Sequence, residues 1–139
     1  CQVTYLGICA GKADTGVGHD NTYVGHSAGT AVTTGCQHTI IGSQAGKAIT
    51  TAAVGSVLIG YNAGTALTSG LYNTLIGTEA GVAITTANGI TAIGYNAAKA
   101  TICANNTAIG RNAMVANTQG QYNTVVGDNA GTSMGRRGL

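Results

Sequence analysis

A glycine preceded by an aliphatic residue returns at a nearly fixed interval along the whole of this 139-residue chain. The copies are Gly7, Gly25, Gly42, Gly60, Gly77, Gly94, Gly110 and Gly127, spaced by 18, 17, 18, 17, 17, 16 and 17 residues. Self-similarity at such a period is the signature of stacked coils, each burying its apolar face on the next. Positions within a coil are counted here from this anchor glycine. The residue three after it is alanine in every copy, Ala10, Ala28, Ala45, Ala63, Ala80, Ala97, Ala113 and Ala130. Six after it, alanine recurs until Ser133 in the last copy. Seven after it, Val32, Ile49, Leu67, Ile84 and Met134 are apolar, while Asp14, Thr101 and Asn117 interrupt the column.

Composition agrees with regular stacking of small residues. The chain has 23 Gly, no Pro, Trp or Phe, and ten charged residues. Without large aromatics, a core offsets chain entropy only by close, repeated packing. The predicted fold is therefore all-β: a parallel β-solenoid or β-roll of about eight 17-residue coils, rising about 4.8 Å each into a rod about 35 to 40 Å long. Identical residues then stack into ladders. Glycine four after the anchor, in six of eight copies, suits a corner with positive φ; Ala98 and Met114 replace it in the other two. Asn21, Asn73, Asn106 and Asn123, four before the anchor, are placed to bond along the stack. No 3.6-residue apolar stripe persists, which weighs against a helical fold. Residues 1–134 read as one repeat domain and 135–139 as a cap or a lead into further chain. The stretch 98–105 is the least regular. The chain opens on Cys1 rather than Met, as a processed product or a fragment would.

Strand residues alternate between faces. The residue before the anchor is aliphatic in every copy, and these are assigned to the coil core: Leu6, Val24, Ile41, Ile59, Ile76, Ile93, Ile109 and Val126. Their predecessors then point outward: Tyr5, Tyr23, Ile40, Leu58, Leu75, Ala92, Ala108 and Val125. An outward column this apolar predicts an oligomer interface, most simply with sister chains around a shared axis. A flattened coil holding both columns inside is the alternative.

The units NTYVGHSAGTAVTTG from Asn21, NTLIGTEAGVAITT from Asn73, NTAIGRNA from Asn106 and NTVVGDNAG from Asn123 resemble the repeats of bacteriophage tail-fibre proteins. They are similar, too, to the head repeats of trimeric autotransporter adhesins, which form left-handed parallel β-rolls. The resemblance implies a homotrimeric fibre on a virion or extracellular appendage, projecting toward a host-surface receptor or glycan. The four cysteines, the longer coil and the lack of a coiled-coil stalk depart from the adhesin pattern. On the rod surface, Tyr61 and Tyr95 share a column with His26 and Arg111, a candidate receptor strip for stacking on sugars or contacting protein.

Catalytic and cofactor chemistry finds little support. Asp14, Asp20, Glu79 and Asp128 form no pair. His19, His26 and His38 occupy different columns and read as surface histidines rather than metal ligands. Gly7 to Lys12 and Gly42 to Lys47 are each one residue short of a phosphate loop. Cys1, Cys9, Cys36 and Cys103 lack metal spacing; Cys1 and Cys36 share a phase but lie two coils apart, about 9.6 Å, too far for an unstrained disulfide. No enzyme activity, cofactor or metal is expected. A formal charge of +2 does not suggest nucleic acid, and no apolar run reaches the roughly 20 residues of a membrane span. The alternative function is an ice-binding solenoid, because Thr15, Thr33, Thr50, Thr68, Thr85 and Thr118 all stand eight after their anchors. A carbohydrate-processing enzyme would need an acidic groove that four carboxylates do not supply.

Overall fold

Short β-branched segments, each closed by a glycine, dictate short strands that pair only with their counterparts one period away. The computed structural model describes residues 2–17, 19–50 and 53–134 and contains no helix among them. It is a parallel β-solenoid of about seven turns with about 17 residues per turn. Eight strands form one sheet in near-sequential order: β1 (Val3–Leu6), β2 (Asn21–Val24), β3 (Thr39–Ile41), β4 (Val57–Ile59), β5 (Thr74–Ile76), β6 (Thr91–Ile93), β7 (Thr107–Ile109) and β9 (Thr124–Val126). Between the last two, β8 (Ala116–Asn117) pairs instead with β10 (Ser133–Met134). Register is uniform, so that Thr74, Leu75 and Ile76 lie over Thr91, Ala92 and Ile93. Hydrogen bonding continues outside the strands, for example from Gly29 N to Ala45 O at 3.0 Å and from Gly64 N to Ala80 O at 2.9 Å. It also runs through the irregular 98–105 stretch, where Ala98, Ala100 and Ile102 donate to Ala113, Val115 and Asn117. Cys1 and the 135–139 segment lie outside the described residues.

The anchor glycines are required twice over. Their φ angles lie between 124° and 134°, a region that L side chains rarely adopt. They also stack so closely that a Cβ built on Gly60 would fall 2.5 Å from Gly77 O and 2.6 Å from its carbonyl carbon. The expected corner four residues on is present: Gly11, Gly29, Gly46, Gly64, Gly81 and Gly131 have φ of 54° to 58°, and Ala98 and Met114 follow at 50° and 52°. Two further left-handed columns carry mostly other residues. One is two after the anchor, from Cys9 through Glu79 to Asn129; the other is five before it, including Asp20, Tyr72 and Tyr122.

The inward and outward assignments of the strand residues are the reverse of those expected. Tyr23, Ile40, Leu58, Leu75, Ala92 and Ala108, expected at an oligomer interface, are fully buried in the coil core. In the same column Val125 packs partly buried against the core, and Tyr5, in the first rung, is exposed. Leu6, Val24, Ile41, Ile59, Ile76, Ile93, Ile109 and Val126, expected inside, face outward and are half-buried or exposed. The flattened coil with both columns inside is excluded by the same burial pattern.

The physical reason lies across the coil. The inner strand residue packs against the corner four after the anchor, and the two sizes compensate. Tyr23 lies against Gly11 and Gly29, Leu58 against Gly46 and Gly64, and Leu75 against Gly64 and Gly81. Where the strand supplies only Ala92 or Ala108, the corner supplies Ala98 or the fully buried Met114. At the Ala108 rung Met114 supplies from the corner the volume that the strand lacks, whereas at the Ala92 rung Ala98 restores only part of it. The corner residues accept a left-handed backbone, costing about 1 to 2 kcal/mol, in exchange for filling that space.

Two predictions follow the packing. Gly60→Ala should destabilise the rod by at least about 2 kcal/mol, since both strain and a backbone clash oppose it. Gly16→Ala, whose Cβ would meet nothing within 4 Å, should cost no more than about 1 to 2 kcal/mol; denaturant midpoints compare them. In a double-mutant cycle, Ala108→Leu should cost about 1 to 3 kcal/mol and Met114→Gly about 2 to 5 kcal/mol. The double variant rebuilds the arrangement of Leu58 and Gly64 and should fall well short of the sum; additive losses would refute size compensation.

Candidate functional site

The sheet's outer face is built from the alternate residues of each strand. It carries Thr4, Thr22, Thr39, Val57, Thr74, Thr91, Thr107 and Thr124 in one column and the aliphatic column from Leu6 to Val126 beside it. Leu6 and Val126, in the two end rungs, are each 66% exposed, and Ile93 and Ile109 are each 36% exposed. Charge is absent from all eight strands. Eight rungs extend this strip about 34 Å, and contiguous apolar surface on a single chain is often functional.

One residue beyond the glycine ladder lies a rim column. The structure brings all four expected strip residues into it: His26, Tyr61, Tyr95 and Arg111 are exposed. Tyr95 and Arg111 occupy successive rungs, joined by the hydrogen bond from Asn112 N to Tyr95 O at 2.8 Å. Arg111 is not free, because its guanidinium donates to Asp128 in the next rung through Nε at 2.9 Å and Nη2 at 2.8 Å. This pair raises the Arg111 pKa and holds the Asp128 carboxyl below its usual range.

The threonines eight after the anchor occupy a different edge. Thr15, Thr50 and Thr68 donate their hydroxyl protons to the carbonyls of Thr33, Thr68 and Thr85 in the next coil, at 3.0, 3.3 and 3.1 Å. Those protons are committed to the rod's own backbone. Ile102 interrupts the column.

Inside the coil, the amides four before the anchor bond along the stack as the sequence suggested. Asn21 Nδ2 donates to Gly35 O at 2.7 Å while its Oδ1 accepts the His38 N–H at 2.9 Å. Asn73 repeats this with Ala87 and Ile90, and Asn106 with Gly120 and Asn123. His38 departs from expectation: it is a core residue, 1% exposed, and imitates asparagine. Its Nε2–H donates to Ala53 O at 3.1 Å and its Nδ1 accepts the Ser56 N–H at 3.3 Å. An imidazole spans the same carbonyl and amide that an asparagine does, which sequence columns alone did not distinguish from a surface position. Burial pushes the His38 pKa down, opposed in part by the Ala53 carbonyl.

At the first rungs, the Tyr5 and Tyr23 rings stack with centroids 5.5 Å apart. Burial first, and then the neighbouring Asp14 carboxylate, raise both phenol pKa values, so these hydroxyls stay protonated. Cys9, Cys36 and Cys103 are free thiols. Among the described residues no group of three or more His, Cys, Asp or Glu side chains is placed to hold a metal ion, and no helix is long and apolar enough to cross a membrane.

Comparison with protein-family models, curated proteins and solved structures finds no match to this chain. Its surfaces therefore have to be read from their own chemistry. The arrangement offers an uncharged aliphatic face for packing and a rigid rim of exposed rings for contact.

The His38 geometry predicts acid lability. A base whose folded pKa lies below its unfolded value near 6.5 leaves stability unchanged above that value. Stability then falls as pH drops below it, because the unfolded chain binds the proton more readily. His38→Asn, which restores the amide found at Asn21 and Asn73, should remove this decline between about pH 6.5 and 5. Denaturant unfolding of both proteins across that range measures it, and equal slopes would show that His38 is not the titrating group.

Proposed function

We propose that this chain is a rigid fibre segment that closes on sister copies through the outer sheet face and projects from a virion or extracellular appendage toward a receptor. The observation that carries the reading is the uncharged aliphatic column from Leu6 to Val126, continuous through all eight rungs of the sheet. In water, such a strip favours association by removing apolar surface, at about 25 cal/mol per Å². A column repeated at every rung is best covered by an identical column, in register, around a shared axis. The interface in this proposal is thus the column first assigned to the core.

The likeness of the NTxxG units to tail-fibre and adhesin-head repeats supports a homotrimer. The solenoid supports a structural role, because its ladder of backbone hydrogen bonds resists bending without any cofactor. In this reading the rim column, one residue outside the buried face, is left free for a host-surface receptor or glycan.

Light scattering on the full chain should give about three times 13.7 kDa. Ile59→Asp combined with Ile76→Asp should reduce the particle to one chain while leaving its β-sheet circular dichroism intact. Leu58→Asp, one residue away and fully buried, should instead unfold the coil. A wild-type chain that stays monomeric at working concentration sinks the fibre reading.

A further inference from the structure

The rings of the rim column are spaced by a rule. Counting rungs from the first anchor, His26, Tyr61 and Tyr95 occupy the second, fourth and sixth, and the small hydroxyl residues Ser43 and Thr78 separate them. Tyr61 and Tyr95 are 49% and 50% exposed. Glu79 N donates to Tyr61 O at 2.9 Å and Asn96 N to Thr78 O at 3.1 Å, so the rungs between the tyrosines stack directly. Two interstrand spacings, about 9.6 Å, therefore separate the backbone positions of successive rings. That interval is fixed by the backbone ladder.

Each tyrosine is followed by an asparagine in the left-handed conformation, Asn62 at φ 57° and Asn96 at φ 54°. Other amides in this column are engaged: Gln44 accepts from Lys47, and Asn112 donates to Asn129. The oxygens of Asn62 and Asn96 are instead shielded from water and have no hydrogen-bond partner among the described residues. Shielded oxygens do not reach a ligand outside the rod, so the exposed rings form the contact surface of the strip.

We propose that this strip binds an extended, uncharged β-1,4-linked glycan, with Tyr61 and Tyr95 stacking on alternate sugar rings. In a chain of equatorial linkages successive pyranose rings turn over, so the same face returns at every second sugar. That two-sugar repeat is close to two rungs of the rod. The apolar C–H face of a pyranose suits an aromatic platform, and His26 extends the track by one further repeat. Arg111, in the rung after Tyr95, is paired with Asp128, and Lys99 with Glu79, which leaves no preference for an acidic sugar. The inference deepens the receptor-binding part of the proposed function and does not depend on oligomer number.

Calorimetric titration of the full chain with cellohexaose, chitohexaose and maltohexaose tests it. At least one β-1,4 hexasaccharide should bind about tenfold more tightly than the coiled α-linked maltohexaose. Tyr61→Ala and Tyr95→Ala should each weaken that binding about tenfold, with unchanged circular dichroism. A Tyr72→Ala, Tyr122→Ala double variant, which removes exposed rings of another column, should bind as the parent does. The proposal is overturned if neither β-1,4 sugar binds, if maltohexaose binds equally well, or if loss of the Tyr72 and Tyr122 rings matters as much. Light scattering on the same samples separates the two readings: an oligomer that ignores these sugars overturns the glycan track alone, and a monomer that binds them overturns the fibre assembly alone.

Discussion

The contact between successive anchor glycines governs the rest of this structure. Each glycine before the last rung has a carbonyl of the next coil where any side chain would begin, and all take a φ near 130°. Gly127, in the last rung, keeps the same φ of 131° although a Cβ there would meet only Ala130 at 3.6 Å. The conformation therefore belongs to the coil itself, and the stack adds the steric demand. Because the opposing atoms are backbone, a neighbour cannot swing aside to relieve a substitution. This ladder also ends every strand of the long sheet at the same place, so the choice of inward and outward residues is made once and repeated in every rung.

Much of the architecture was legible in the sequence because stacking turns a three-dimensional requirement into a column. The period, the strands, the glycine corner and the bonding amides were all read from residues 17 or so apart. The face assignment was not, and the reason is instructive. Uniformity suggests the interior, yet the interior column runs from Tyr23 to Ala108, varying in size with Met114 on the opposite wall making up the difference at Ala108. The pairing of Ala92 with Ala98 and of Ala108 with Met114 was visible as two departures from glycine. Read together with the small strand residues of the same coils, those departures identify the inner column. The left-handed positions at Ser27, Gln44 and Glu79 were hidden for another reason: these residue types do not require that conformation, and only the four asparagines of the column favour it.

The polar interior follows the same logic. A side chain four before the anchor must satisfy a carbonyl and an amide of the next coil at once, and Asn21, Asn73 and Asn106 do so with one terminal group. His38 meets the demand with its two ring nitrogens, but only in one neutral tautomer. The substitution keeps the ladder intact while placing a titratable group within it. Ser56, in the rung after His38, is smaller: its amide donates to the imidazole and its hydroxyl accepts the Asn73 N–H.

Size compensation also bears on why the outer column is so constant. Inside the coil a large residue is accommodated by a glycine from the same chain, so variation there is tolerated. A residue facing outward has no such counterpart in its own coil. If it packs against sister copies around an axis, it meets the same residue from each of them, and any change in size is multiplied by the symmetry rather than offset. A column held to Leu, Val and Ile through eight rungs fits the self-packing proposed above. The β-branched threonines of the neighbouring column share the strand preference of Val and Ile, and differ from them in carrying a hydroxyl that an aliphatic self-packed column lacks.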